Sequence, residues 1–88
     1  MYLIVFSRQA DKDKARLKQG GLEKKARELL SVIMQDSYAT PPRYEKLVGD
    51  MQGLYFRRIN MQHRLVYEVD EANKVVHMLR MWTHYDDN

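Results

Sequence analysis

The sequence of 88 residues contains no cysteine, two prolines and four glycines. Without cysteine there is no disulfide framework, thiolate metal site or cysteine nucleophile, so stability has to come from packing, as in a reducing cytosol. The glycines form neither a phosphate-binding loop nor a dinucleotide fingerprint, and there is no GxSxG motif. These classes of enzyme are therefore not expected.

Long hydrophobic runs are also absent. The apolar start, residues 1–6, is too short for a signal-peptide core and has no basic residues ahead of it. No later run approaches the length of a membrane-spanning helix. We expect a soluble, cytoplasmic protein that makes no contact with a membrane.

The composition that is present, 44% hydrophobic and 31% charged residues, is ordinary for a globular protein. A chain of this length is expected to form one domain over residues 1–88. The net charge of +3 favours a polyanionic partner only weakly. Basic residues cluster at residues 24–27 and 57–64, and acidic residues at 70–71 and 86–87.

The N-terminal half predicts one strand and two helices. Residues 2–6 form a continuous aromatic and β-branched run, which favours a strand buried on both faces inside a sheet. Ser7 can cap a helix through residue 18, whose apolar positions are sparse, and Gly20 and Gly21 end it. A second, amphipathic helix is predicted by an apolar stripe at helical spacing: Leu22, Ala26, Leu29, Leu30 and Ile33.

The C-terminal half predicts strands. Two prolines forbid a helix just before residues 44–48, which are expected to form a short strand. Residues 54–60 and 63–69 predict a hairpin, and residues 74–82 predict the last strand. The expected fold class is α+β: an N-terminal strand, a helical hairpin, and antiparallel strands in a twisted sheet with the helices on one face.

The directions of the hairpin arginines stay open at this point. Arg64 should emerge on the face opposite Leu65, while Arg57 and Arg58 lie on opposite faces, one of them as an ordinary solvated charge. An even-length turn puts Ile59 on the side of Arg64, whereas a three-residue loop or a bulge puts Arg58 there.

Three side chains in this half could together cleave RNA by attack of its own 2′-hydroxyl. The reaction needs a base, a cation for the phosphorane charge, and an acid for the leaving oxygen. Glu45 is the candidate base, Arg64 the cation, and His84 the acid, because imidazole titrates near neutrality. Taken singly, each has a simpler interpretation: a surface carboxylate, an arginine paired with Glu68 or Glu45, and an exposed terminal histidine.

Three further residues are candidates for holding the substrate. One of Arg57 and Arg58, together with Lys46, could grip phosphate, and Tyr85 could stack on a base or donate to a phosphate. The simpler interpretation of Tyr85 is a ring packed against the sheet edge. Histidines and acids show no metal-ligand spacing, so neither a metal nor another cofactor is expected.

The phrases that carry these residues resemble a known family. YEKLVGDMQGLYFRRINMQHRLVYEV and the later WTHY are similar to the Txe/YoeB family of bacterial toxins, in the RelE-like superfamily of toxins from toxin-antitoxin modules. Members show a Glu-x-Leu phrase, Gly, an aromatic, Arg-Arg-Ile, His-Arg-Leu-Val-Tyr and a terminal His-Tyr. Several phrases in the same order are far more specific than one motif, and the resemblance covers most of the chain.

The resemblance implies a RelE-like domain that acts as a metal-independent endoribonuclease on messenger RNA in the ribosomal decoding site. It also implies a small antitoxin partner, Phd/YefM-like or similar, whose C-terminal segment wraps the toxin, and it leaves a homodimer open. The roles implied for the residues are general base for Glu45, phosphate-stabilising cation for Arg64, general acid for His84, substrate positioning for Tyr85 and a further phosphate contact for Arg58.

Two functions of other classes remain as alternatives. A non-catalytic RNA-binding or toxin-like module would use the same arginines only to grip phosphate, with strong salt dependence. A structural partner domain would need the charges only for solvation. Gyrase-inhibiting relatives share the fold but lack the glutamate, arginine and histidine set, so the presence of that set argues against their activity here.

Overall fold

The computed structural model describes residues 1–38, 45–46 and 54–83, and of Glu45, Lys46 and Thr83 it describes the backbone. The predicted elements appear in the predicted order, and residues 44, 47 and 48 of the predicted short strand lie outside the described residues. The elements are β1 (Leu3–Phe6), α1 (Arg8–Gln19), α2 (Glu23–Gln35), β2 (Glu45–Lys46), β3 (Leu54–Arg58), β4 (Arg64–Asp70) and β5 (Val75–Thr83).

The strands form one sheet in the order β1-β5-β4-β3-β2. β1 runs parallel to β5, and the other neighbouring strands are antiparallel. One core joins both helices to one face of this sheet, which confirms the α+β prediction. Its fully buried members include Ala10 and Ile33 from the helices and Leu65, Tyr67, Val76 and Met78 from the strands.

β1 lies at an edge of the sheet, so the prediction of an interior strand buried on both faces is wrong. Leu3 and Val5 are 65% and 43% exposed, whereas Ile4 and Phe6 pack against the core. Successive side chains of a strand point to opposite faces, and it is the face of Ile4 and Phe6 that meets the core. The apolar run therefore reflects strand propensity more than burial on both sides.

α1 begins at the predicted side-chain cap. The Ser7 Oγ accepts a hydrogen bond from the Ala10 N–H at 3.0 Å and donates one to the Leu79 carbonyl at 2.7 Å. One hydroxyl therefore satisfies the helix start and ties it to β5. At the other end the Gly20 N–H caps α1, and Gly21 turns the chain at φ 74°, which glycine tolerates best.

α2 buries the predicted apolar stripe. Ala26, Leu29 and Ile33 face the core, and Leu22 and Leu30 pack partly buried against it. The charged positions between them face solvent, as the helical spacing predicts. Packing of this stripe, rather than helix propensity, is what holds a helix of this length in place.

Glu71 ties the start of the chain to the turn before β5. The Tyr2 hydroxyl donates to Glu71 Oε2 at 2.9 Å, and Lys74 forms an ion pair with the same carboxylate. The hydrogen bond from Lys74, followed by that from Tyr2, lowers the pKa of Glu71 below its ordinary value of 4.5. These bonds therefore stabilise the folded state while the carboxylate is ionised.

The free energy of unfolding should fall in acid as Glu71 is protonated. Because its folded-state pKa is depressed, the stabilisation is complete above pH 4.5 and is lost as the pH falls through the lower folded-state pKa. Glu71→Gln should therefore weaken the acid dependence in urea titrations at several pH values. Glu28→Gln, the same change at an exposed position of α2, should leave it unchanged; equal slopes for both variants would contradict the assignment.

Ser7→Ala should lower the free energy of unfolding by about 1–2 kcal/mol, because it removes the cap and the bond to β5 together. Chemical denaturation measures the loss. Ser31→Ala, at an exposed position of α2, is the matched control and should change stability by less than about 0.5 kcal/mol. Similar losses in the two variants would show that the Ser7 contacts do not stabilise the fold.

Candidate active site

The β3–β4 hairpin places two arginines directly opposite each other. The Ile59 N–H donates to the His63 carbonyl at 2.8 Å, which leaves a three-residue loop over residues 60–62. The register of the two strands then pairs Arg58 with Arg64. Of the two alternatives left open by the sequence, the structure selects the one that puts Arg58 on the side of Arg64.

This arginine pair lies on the sheet face turned away from the helices. Phe56 and Val66 form another opposed pair two residues along and share that face. Leu65, between Arg64 and Val66, is fully buried in the core on the helix side. The prediction that Arg64 emerges opposite Leu65 is thus confirmed, and we call Phe56, Arg58, Arg64 and Val66 the arginine face.

The guanidinium of Arg64 is supported from below by an aromatic ring. Its Cζ lies 4.8 Å from the centroid of the Phe56 ring, within the range of a cation–π contact. Phe56 is buried, Arg64 is half-buried, and Arg58 is exposed. A guanidinium that packs on a ring has lost part of its side-chain freedom already, so an anion that binds it costs less ordering entropy.

The sheet order brings further candidate positions to both flanks of the arginine face. On one flank, the backbone of Glu45 in β2 pairs with Phe56. On the other flank, Thr83 in β5 pairs with Arg64, and His84 is the next residue in the sequence. The remaining candidates fall outside the described residues: the side chains of Glu45 and Lys46, and the whole of His84 and Tyr85.

Arg57 points to the helix side and is 0% exposed. Its Nε donates to the Tyr67 hydroxyl at 3.0 Å and its Nη2 donates to the Ser37 carbonyl at 3.0 Å. The Tyr67 hydroxyl donates to the same carbonyl at 3.2 Å. Arg57 is therefore not the solvated charge of the two, because it is buried with oxygen acceptors, whereas Arg58 is exposed.

Comparison with known proteins identifies the family. A family model described as the YoeB-like toxin of bacterial type II toxin-antitoxin systems matches residues 6–85. The chain belongs to this family. It is therefore the toxin of a toxin-antitoxin module, as the resemblance of its sequence phrases predicts. No curated protein sequence matches the chain significantly.

Solved structures of YoeB-like toxins superpose on the chain over nearly its full length. A YoeB/ParE toxin from Agrobacterium tumefaciens is 25% identical, with a TM-score of 0.85 and coverage of 94% of this chain and 99% of that chain. The toxin of a YoeB–YefM complex from Staphylococcus aureus is 35% identical, with a TM-score of 0.79 and coverage of 97% and 99%. The more distant YafQ from E. coli, 17% identical with a TM-score of 0.79 and coverage of 94% and 93%, shares the fold. The predicted RelE-like fold is confirmed.

Over residues 1–38, 45–46 and 54–83, this YoeB-like toxin has neither a cluster of metal ligands nor a membrane-spanning helix. No group of three or more histidine, aspartate or glutamate side chains in those ranges is arranged to hold a metal ion. Neither helix of the same ranges has the length and apolar character needed to cross a membrane.

A ring stack that sequence analysis missed joins the residue before β4 to the end of β5. The rings of His63, which precedes Arg64, and Trp82 stack with centroids 3.7 Å apart at an angle of 21°. The far edge of Trp82 lies against Gly20, where an added Cβ would be 2.9 Å from its Cη2 atom. No local sequence signal marks this stack, because its three members are distant in the chain.

Asp13 is a second residue that sequence analysis missed, and here a signal exists. The buried face of α1 consists of Ala10, Asp13 and Leu17, at i, i+3, i+7 spacing. An acidic residue in the middle of an apolar stripe indicates a buried carboxylate with hydrogen-bond donors nearby. Its partners lie at the end of β5: Oδ2 accepts from the Met81 N–H at 2.9 Å and from the Trp82 N–H at 3.2 Å.

Tyr67→Phe should lower the free energy of unfolding by about 1–3 kcal/mol, because it removes an acceptor from a buried guanidinium and a donor from a buried carbonyl. Tyr2→Phe makes the same chemical change at a hydroxyl that meets the exposed Glu71, so its cost should be smaller. Urea denaturation of both variants gives the comparison. A smaller loss for Tyr67→Phe would contradict the role of the buried network.

Proposed function

We propose that this toxin is a metal-independent endoribonuclease that cleaves messenger RNA in the ribosomal decoding site. The observation that carries the proposal is the opposed pair Arg58 and Arg64, flanked in the sheet by the backbone of Glu45 and by Thr83, which precedes His84. The proposed chemistry has three roles to fill, and this arrangement bears on each of them.

The arginine pair suits the phosphate. Arg58 and Arg64 are paired in the register on one face of the sheet, and like charges at paired positions repel, so a phosphate bound beside them would offset that repulsion. Planar guanidinium groups donate to phosphate oxygens in parallel pairs. We assign to Arg64, which packs on Phe56, the stabilisation of the phosphorane charge, and to Arg58 a further phosphate contact.

The flanks suit the acid and the base. In-line displacement at phosphorus puts the attacking and the leaving oxygen on opposite sides. β2 and β5 are separated by β3 and β4, so their backbones are about 14 Å apart, three interstrand spacings, with the arginines between them. An acid and a base that reach inward from these two strands would meet one phosphodiester from its two sides.

The reaction then proceeds as follows. Glu45 accepts the proton of the 2′-hydroxyl, whose oxygen attacks the adjacent phosphorus, and His84 gives a proton to the departing 5′-oxygen as its bond to phosphorus breaks. The products are a 2′,3′-cyclic phosphate and a 5′-hydroxyl end. Tyr85 and Lys46 are assigned to holding the substrate, the first by stacking or hydrogen bonding and the second by charge.

A small antitoxin is the proposed protein partner. The Staphylococcus aureus relative has been solved as a YoeB–YefM complex and, separately, as a YoeB dimer. For this toxin, with its net charge of +3, we propose an acidic, partly disordered, YefM-like antitoxin that folds on binding. The neighbouring small gene should encode it, and co-expression should yield a complex without RNA cleavage; a homodimer of the free toxin is tested by light scattering.

Single substitutions of the three assigned groups test the chemistry. Glu45→Gln, Arg64→Gln and His84→Gln should each lower the cleavage rate about 10²–10⁴-fold, since each removes a base, a cation or an acid. The assay is single-turnover cleavage of messenger RNA on programmed ribosomes, with the new ends mapped chemically. Arg16→Gln, at an exposed position of α1, is the control and should cleave as the wild type does.

The same assay separates the alternatives. A triple variant that cleaves as fast as the wild type would refute the mechanism. Wild-type protein that binds RNA with a steep salt dependence but leaves it intact would support the non-catalytic RNA-binding module instead. Cleavage of free RNA at the rate seen on ribosomes would refute the decoding site as the place of action.

A further inference from the structure

The buried carboxylate of Asp13 sits where α1 crosses the end of β5. The side chain is 0% exposed, although it belongs to a helix with many charged residues on its surface. Oδ1 accepts from Gln9 Nε2 at 2.9 Å, and Oδ2 accepts from the Met81 and Trp82 N–H groups. A buried carboxylate is tolerated because donors replace its water, and here three donors do so.

The two backbone donors are consecutive, which a regular strand does not allow. In a regular strand, successive N–H groups point to opposite edges. The β4–β5 register explains the exception: Tyr67 pairs with Met78 but Val66 pairs with Arg80, and Arg64 pairs with Thr83. β5 therefore contains an extra residue in each of these steps, and such bulges bend a strand and redirect the chain that follows.

Asp13 holds this bend from outside the sheet. β1 accompanies β5 only as far as Met78, the partner of Phe6. Beyond that point the Ser7 hydroxyl donates to the Leu79 carbonyl, and Asp13 accepts from the N–H groups of Met81 and Trp82. The backbone of β5 is thus fixed by α1 up to Trp82, two residues before His84.

We propose that Asp13 is the positioning residue of the nuclease: by fixing the bulged end of β5 it fixes the point of attachment of the next two residues in the sequence, His84 and Tyr85. The catalytic part of this inference rests on the proposed function. The structural part concerns the end of β5 itself and does not depend on it.

The first test replaces the carboxylate. Asp13→Ala should lower kcat about 10²-fold with little change in KM, because a displaced acid slows the chemical step while the arginine face still binds phosphate. Asp13→Asn keeps an acceptor oxygen for the two N–H groups, and Gln9 can turn its own amide oxygen to the new NH₂ group. It should therefore recover kcat to within about tenfold of the wild type. Asp11→Ala, an exposed acid on the same helix, is the matched control.

The second test measures how firmly the end of β5 is held and does not depend on catalysis. Amide hydrogen exchange of Met81 and Trp82, followed by NMR, should speed up at least about tenfold in Asp13→Ala, less in Asp13→Asn and not in Asp11→Ala. If Asp13→Ala does not fold, the comparison of Asp13→Asn with Asp11→Ala decides. Wild-type exchange and an unchanged kcat in folded Asp13 variants would overturn the proposal.

The two tests fail in distinguishable ways. If the wild type cleaves no RNA, the proposed nuclease is refuted, and the exchange rates alone then decide whether Asp13 fixes β5. If the wild type cleaves RNA and Asp13→Ala lowers kcat no more than Asp11→Ala does, the positioning role is refuted while the nuclease stands. Faster amide exchange of Met81 and Trp82 in Asp13→Ala with an unchanged kcat would also refute the positioning role.

Discussion

The alternation of side chains across the sheet is the constraint on which the rest of the structure depends. The helices cover one face, so every residue of β3 and β4 is committed to the core or to the opposite face by its place in the register. A slip of one residue between Arg58 and Arg64 would bury one guanidinium and expose an apolar neighbour. The three-residue loop at residues 60–62 therefore fixes both the core and the arginine face.

Much of this could be predicted from the sequence. The Ser7 cap, the Gly20 and Gly21 stop and the stripe of α2 are local patterns, and each appears where its spacing puts it. The apolar alternation of β4 predicts the direction of Arg64 for the same reason. Such features depend on neighbours a few residues apart. The order of the sequence phrases shared with the family predicts the RelE-like fold as a whole.

What the sequence did not predict depends on distant partners. The loop length at residues 60–62 decides which of Arg57 and Arg58 shares the face of Arg64. The burial of Arg57 depends on the carbonyl of Ser37, just after α2 and 20 residues away in the chain. The sequence wrongly predicts β1 as an interior strand, because the strand propensity of its residues does not reveal which of its faces are covered. The bulges of β5 have no residue signature, whereas Asp13 leaves a trace as an acid in an apolar stripe.

The parallel pairing of β1 with β5 joins the beginning of the chain to a segment synthesised some 70 residues later, as the bond between Asp13 and Met81 also does across a separation of 68. Contacts of such long range are slow to form, because the intervening chain must lose its freedom first. A nascent chain still lacking residues 75–83 lacks the neighbour of β1 and one of the two neighbours of β4. The growing polypeptide therefore cannot complete its sheet until that late segment has been synthesised.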